Sequence, residues 1–143
     1  MIKKYILIVL FFPSILFSQE EKYPTFDVCK GSEIESIKDC FYATTKKHFF
    51  AEFKTPPVVE NENFTGTVNT IFAVTAEGEF KLIYVNTPYE EIRKEVKRAF
   101  KVFPKIIPAW YNNHAIEMKF ELPIKFPIIE GHMNEDITTT VEI

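Results

Sequence analysis

IEMKFELPIKF, residues 116–126, alternates without a break: Ile116, Met118, Phe120, Leu122, Ile124 and Phe126 are apolar, and Glu117, Lys119, Glu121, Pro123 and Lys125 separate them. Successive side chains of a β-strand point to opposite faces, so a period of two predicts one strand with a face on a core and a face toward water. Pro123 lies inside the pattern and Pro127 follows four residues on, which puts their missing N–H groups on the same flank of an extended strand. A strand hydrogen-bonded on both flanks would lose ladder bonds there, whereas an edge strand would lose little. The pattern therefore predicts an edge strand along which any added pairing stops near Leu122.

Upstream, Phe103-Pro104-Lys105-Ile106-Ile107-Pro108-Ala109-Trp110 is a stiff apolar joint, followed by Asn112-Asn113-His114, where asparagine can adopt the left-handed turn conformation. Before the joint, Ile92, Val96, Ala99, Phe100 and Phe103 share one side of a helix predicted to start at the capping box Thr87-Pro88-Tyr89-Glu90. Arg93, Lys94, Lys97, Arg98 and Lys101 form a basic group on the rest of that helix, expected to be a solvated face.

Earlier still, Gly66 opens a predicted hairpin. Val68, Phe72 and Val74 alternate with Thr67, Asn69 and Thr75, Ala76-Glu77-Gly78 turns, and residues 80–85 return. Ile71, Ala73, Ile83 and Val85 are expected to give the second face some apolar surface. The first helix is predicted from a capping box at Ser32-Glu33-Ile34-Glu35, with Ile34, Ile37, Phe41, Thr44, His48, Phe49 and Phe53 as its apolar stripe, and Thr55-Pro56-Pro57 as its stop. An acidic connection runs over residues 56–63, and Asn63-Phe64-Thr65 is a chance match to a glycosylation acceptor. Helix, hairpin, helix, strand is satisfied by an α+β fold: two helices packed on one face of a small, mainly three-stranded antiparallel sheet.

Residues 1–18 carry Lys3 and Lys4, then an apolar run interrupted at Pro13 and Ser14, and end at Ser18, the outline of a signal peptide. The run is shorter than the ~20 apolar residues a bilayer span needs. Cleavage is expected, with an uncleaved anchor as the alternative; residues 19–127 then form the domain and residues 128–143 a tail. Losing Lys3 and Lys4 takes the formal charge from −3 to −5, so nothing in the balance suggests a nucleic-acid partner, which would call for a basic face, and none is expected. Cys29 and Cys40 are the two cysteines, expected in an exported chain to form a structural disulfide that pins the lead segment across the first helix; two unpaired core thiols are the alternative. Fifteen phenylalanines supply the core.

Catalytic patterns are missing: there is no Gly-rich phosphate loop, nucleophile elbow or paired-carboxylate motif. His48 falls on the first helix stripe and is expected to be a hydrogen-bonded core residue. His114 and His132 with Met118 and Met133 match no ligand spacing, so no metal and no cofactor is expected.

In their order and spacing these elements resemble the C-terminal domain of the TonB energy transducers, in the form with a paired-cysteine lead segment. The likeness rests on residues 26–29 and 40–53, the hairpin from Gly66-Thr67-Val68 to Val85 with its Ala-Glu-Gly turn, the helix 92–103, and the joint and strand from Phe103 to Leu122-Pro123-Ile124-Lys125-Phe126. It implies a non-enzymatic periplasmic module that receives an extended peptide segment of an envelope partner, such as an outer-membrane receptor, as an added strand. The implied site is the free edge made by Ala115, Ile116, Glu117, Met118, Lys119, Phe120, Glu121 and Leu122. Two departures are plain: the chain has no proline-rich spacer, and Asn112-Asn113 stands where the family usually has Asn-Gly. Two alternatives remain. One is a subunit or homodimer whose own tail, with its strand-like Ile137-Thr138-Thr139-Thr140-Val141-Glu142-Ile143, covers the edge; the other is a minimal transducer that keeps its N-terminal anchor, the only case in which it contacts a membrane.

Overall fold

The computed structural model describes residues 21–129 and 137–139. The expected signal peptide and most of the tail, with His132 and Met133, lie outside the described residues.

Among the described residues six strands and three α-helices follow in chain order: α1 (Ile34–Glu52), α2 (Pro57–Asn61), β1 (Gly66–Val74), β2 (Phe80–Val85), α3 (Glu90–Lys101), β3 (Ala109–Tyr111), β4 (His114–Ile116), β5 (Met118–Phe126) and β6 (Thr138–Thr139). The main sheet is antiparallel in the order β2-β1-β5-β6, and β3 with β4 forms a separate hairpin. This is the expected α+β arrangement of helices on one face of a small antiparallel sheet, with a two-residue fourth strand added.

Phenylalanines bind the layers together. Phe72 of β1 stacks on Phe120 of β5 at 5.4 Å and meets Phe100 of α3 at 4.9 Å, while Phe120 meets Phe41 of α1 at 4.8 Å. Phe49 of α1 closes the layer against Phe100 at 5.4 Å. Each such ring, fully buried, contributes about 1.5–3 kcal/mol from removed apolar surface. Two hydroxyls are trapped in this core without a hydrogen-bond partner, those of Thr45 and Thr70.

Both helix starts differ from expectation. Glu33 and Tyr89 occupy the N-cap positions, and neither helix has a side-chain cap bond. The Ser36 hydroxyl instead donates to the Glu33 carbonyl, and Thr87 acts two residues ahead of its helix, its hydroxyl accepting from the Tyr89 N–H at 3.2 Å. The Thr87 carbonyl is taken by Arg93. A turn that satisfies Thr87 locally competes with a capping box. The buried row of α1 also differs: it is Phe41, Thr45, Phe49 and Phe53, a strict step of four, and Ile34, a turn and more before it, is 53% exposed.

In the hairpin, the pairing shifts between Ile71 and Phe72, so that Ile71 faces Tyr84 but Phe72 faces Leu82. Ile83 is the extra residue. A bulge inverts the alternation beyond it, which turns Val85 into the core and corrects its expected place on the second face. Ile83 and Tyr84 are left exposed there.

The proline joint neither joins the sheet nor hangs free. The Ile106 N–H donates to the Gly78 carbonyl at 2.9 Å, and Ile107 and Trp110 exchange bond pairs with Thr25 and Lys22 of the lead segment. Pro24 and Pro108 lie between those two bonded pairs and have no N–H to extend the ladder. Gly78 has φ +82°, and a Cβ there would meet the Ile106 carbonyl oxygen at 1.8 Å, so only glycine lets the joint settle on the hairpin turn. Asn112 and Asn113 both take positive φ, the geometry a two-residue hairpin turn demands, so an Asn-Asn pair makes the turn without glycine.

Candidate functional site

The eight residues expected along one edge divide between two elements. Ala115 and Ile116 belong to β4 and pair with Trp110 and Ala109, so they lie in the small hairpin and not on the main sheet. Glu117 is the exposed break. Met118, Lys119, Phe120, Glu121 and Leu122 begin β5, with Met118, Phe120 and Leu122 turned into the core and Lys119 on the open face. The unbroken alternation in sequence hid this division, because β4 and β5 are in phase across Glu117.

On its inner flank β5 pairs with β1 along its whole length, from Met118 opposite Val74 to Phe126 opposite Gly66. Hydrogen-bond direction on the outer flank follows from one bond in β1. The Asn69 carbonyl accepts from the Asn86 N–H on the β2 side; its partner Pro123 is therefore a non-hydrogen-bonded pair with it, and points its own main-chain groups away from β1. Glu121 and Lys119, two and four residues away, point the same way. Pro123 thus withholds its N–H on the flank where the sequence argument put it, and its loss costs the β1 ladder nothing.

Part of the tail meets that flank. β6 pairs antiparallel with β5 through two positions, Thr138 opposite Glu121 and Thr139 opposite Phe120. Ile137, just before it, is 2% exposed and joins the core cluster. The Thr139 side chain lies toward the helices, where its hydroxyl is hydrogen-bonded to the Tyr23 hydroxyl at 3.3 Å and to the Tyr42 hydroxyl. Tyr23 comes from the lead segment and Tyr42 from α1, their rings edge to face at 6.2 Å, and both lie against Phe120. The Lys38 ammonium sits 5.4 Å and 5.8 Å from the two ring centres. Burial pushes the Tyr42 phenol up to about 12, against the opposing pull of its bond to Thr139, so it stays neutral at any physiological pH.

The lead segment is held in place to present Tyr23. Cys29 and Cys40 form a disulfide with a Cα–Cα distance of 5.9 Å, and Phe26 stacks on Phe41 at 5.9 Å. Such a bond is consistent with an oxidising compartment. Tyr23, Tyr42 and Lys38 were not singled out in the sequence, where neither tyrosine breaks a pattern; only the strand-like Ile137-Thr138-Thr139 pointed toward this place.

The other candidates gather no chemistry. His48 is exposed and stacks on Phe26 at 5.5 Å, which corrects its expected core position; His114 is exposed in β4. Among the described residues no group of three or more His, Cys, Asp or Glu side chains is placed to hold a metal ion, and no helix is long and apolar enough to cross a membrane. A cleft of about 340 Å³ where the chain leaves β5 is lined by Thr55, Val59, Glu60, Asn63, Phe64, Thr65, Pro127 and Ile128, with Glu60 its single ionisable group. On α3, Arg98 bridges the Glu95 carboxylate and the Glu52 carbonyl, and Arg93 pairs with Glu90 and Thr87, so two members of the basic group are structural ties. Among known protein families, curated proteins and solved structures, none matches this chain.

Proposed function

We propose that this protein is a non-enzymatic, exported binding module of the TonB C-terminal type, working in the periplasm, which takes an extended segment of an envelope partner as an added strand on the outer flank of β5. The observation that carries this reading is the inequality of the two flanks among the described residues: a strand of nine residues is paired throughout on one side and through two positions on the other. Main-chain donors and acceptors at a strand margin recruit extended chain, and alternate side chains then set the choice of chain. The partners this implies are outer-membrane receptor segments and other envelope proteins.

β6 favours a second reading, in which the tail is a permanent cover and the protein is a self-contained subunit. Rough magnitudes argue for a displaceable cover. Burying Ile137 contributes about 1.5–3 kcal/mol, and a bonded hydroxyl about 0.5–1.5 kcal/mol; ordering each of three residues costs about 1–2 kcal/mol. The balance lies within a few kcal/mol of zero, so a partner that pairs over more of β5 prevails.

The test is titration of the isotope-labelled full chain with synthetic peptides from receptor N-terminal segments. Strand addition moves the amide signals of Lys119 and Glu121 and leaves those of the β1–β2 hairpin in place. Unmoved β5 signals at millimolar peptide, both in the native chain and in an Ile137→Asp chain with its cover dislodged, sink the reading. Binding confined to the Ile137→Asp chain decides for the permanent cover.

A further inference from the structure

The tail shows what its seat accepts. We infer that β6 is a built-in imitation of the ligand, and that the outer flank of β5 selects an antiparallel peptide with an aliphatic residue followed two positions later by threonine or serine. This rests on the strand-addition reading and specifies the partner it admits.

The argument begins with alternation. In β6 the side chains of Ile137 and Thr139 fall on the same face and that of Thr138 on the other, because strand residues alternate. Ile137 is buried, Thr138 is exposed beside Glu121, and Thr139 faces Tyr23 and Tyr42. The first position is therefore chosen by volume and apolarity, and the middle position is left to solvent. The third position is chosen by chemistry: two half-buried phenol hydroxyls from separate elements converge on one oxygen, and both rings pack against Phe120. A site built to bond a hydroxyl discriminates strongly against an isostere that lacks it, since its own buried groups are left unpaired. Valine has nearly the shape of threonine, so it fills the seat but offers no hydroxyl, and the two phenols keep only their bond to each other.

A small molecule would need only the hydroxyl seat. The pairing of Thr138 and Thr139 with Glu121 and Phe120 couples that seat to main-chain direction and register, which makes the ligand a peptide strand. Lys38 lies over the two rings and braces them from outside.

The experiment uses the full chain carrying Ile137→Asp and Thr139→Asp, which vacates the seat and leaves β5 intact. Three ten-residue peptides are titrated: one with Ile-Thr-Thr at its centre, one with Ile-Thr-Val and one with Asp-Thr-Thr. The expected order is Ile-Thr-Thr tightest and Ile-Thr-Val roughly tenfold weaker, with Asp-Thr-Thr weakest. Adding Tyr23→Phe and Tyr42→Phe to the host erases the difference between the first two peptides. Equal affinity for them in the host with both tyrosines, with the Glu121 amide shifted by each, overturns the selection rule and leaves strand addition standing. No binding by any peptide overturns both. Should that host not fold, the otherwise native chain decides: Thr139→Val raises exchange of the Glu121 amide roughly tenfold while Thr139→Ser leaves it nearly unchanged, and equal exchange in both overturns the inference.

Discussion

The two flanks of β5 share one backbone and meet opposite fates. On the inner side, pairing with β1 runs from one end of the strand to the other and is backed by Phe72, Phe120, Phe41 and Phe100. Outside, among the described residues, two tail residues and one hydroxyl seat hold the margin. Ladder bonds are much alike in strength wherever they occur; the contrast in permanence arises from the side chains packed behind them. A flank becomes fixed when its cross-strand neighbours are aromatic and buried, and remains negotiable when one aliphatic side chain and one threonine do that work.

The sharpest way to break the inner flank is Phe72→Ala. Removing a ring at the centre of the cluster is expected to cost about 3–5 kcal/mol, seen as a lower urea midpoint with both flanks lost together. If the midpoint moves by less than about 1 kcal/mol-equivalent, the phenylalanine cluster is not what separates the flanks. Next comes the disulfide. Replacing both Cys29 and Cys40 by serine is expected to cost about 3 kcal/mol on thermal unfolding, and to raise exchange of the Glu121 amide before that of the β1 amides, since Tyr23 is held through the same lead segment.

Alkaline titration sharpens the comparison from the other side. Burial raises the Tyr42 phenol from 10.0 to about 12, with Tyr23 and Asp39 pushing the same way. A raised phenol favours the protonated, folded form, so the stability it contributes is whole below pH 10 and drains away as pH climbs toward 12. The outer flank should open over that window, read by amide exchange or tyrosine absorbance, and Tyr42→Phe should flatten the dependence. An identical slope in that variant assigns the opening to another group. The smallest effect is expected at Thr70→Val, which removes a buried hydroxyl that has no partner: stability should stay level or rise by up to about 1 kcal/mol, whereas a clear loss in chemical denaturation means the hydroxyl is bonded in solution.

Much of the inner flank was legible in the sequence. The strand patterns at 66–74 and 118–126, the glycine of the Ala-Glu-Gly turn and the apolar stripe of α3 are signals of local geometry, and folding left them in place. Boundaries set by competition were harder. The capping boxes lost to local turns at Ser36 and Thr87, and the phase of Val85 was reset by a bulge at Ile83 that no spacing announces. Ile116 changed element because a hairpin turn at Asn112-Asn113 used it first. The outer flank was legible only in its strand-like tail and its proline. Tyr23 and Tyr42 are 19 positions apart, and their meeting over Thr139 depends on the disulfide, the helix and the sheet all being in place.

Pro123 gives the margin a grip of limited length. A guest chain aligned beyond Glu121 finds a residue that can accept from it but cannot donate to it, so zippering stalls there however long the guest is. On the proposed strand-addition reading, the protein would clasp its partner as a peg holds a line, at one short place, leaving the remainder of the partner to move and to be pulled from one end without being stripped along its length.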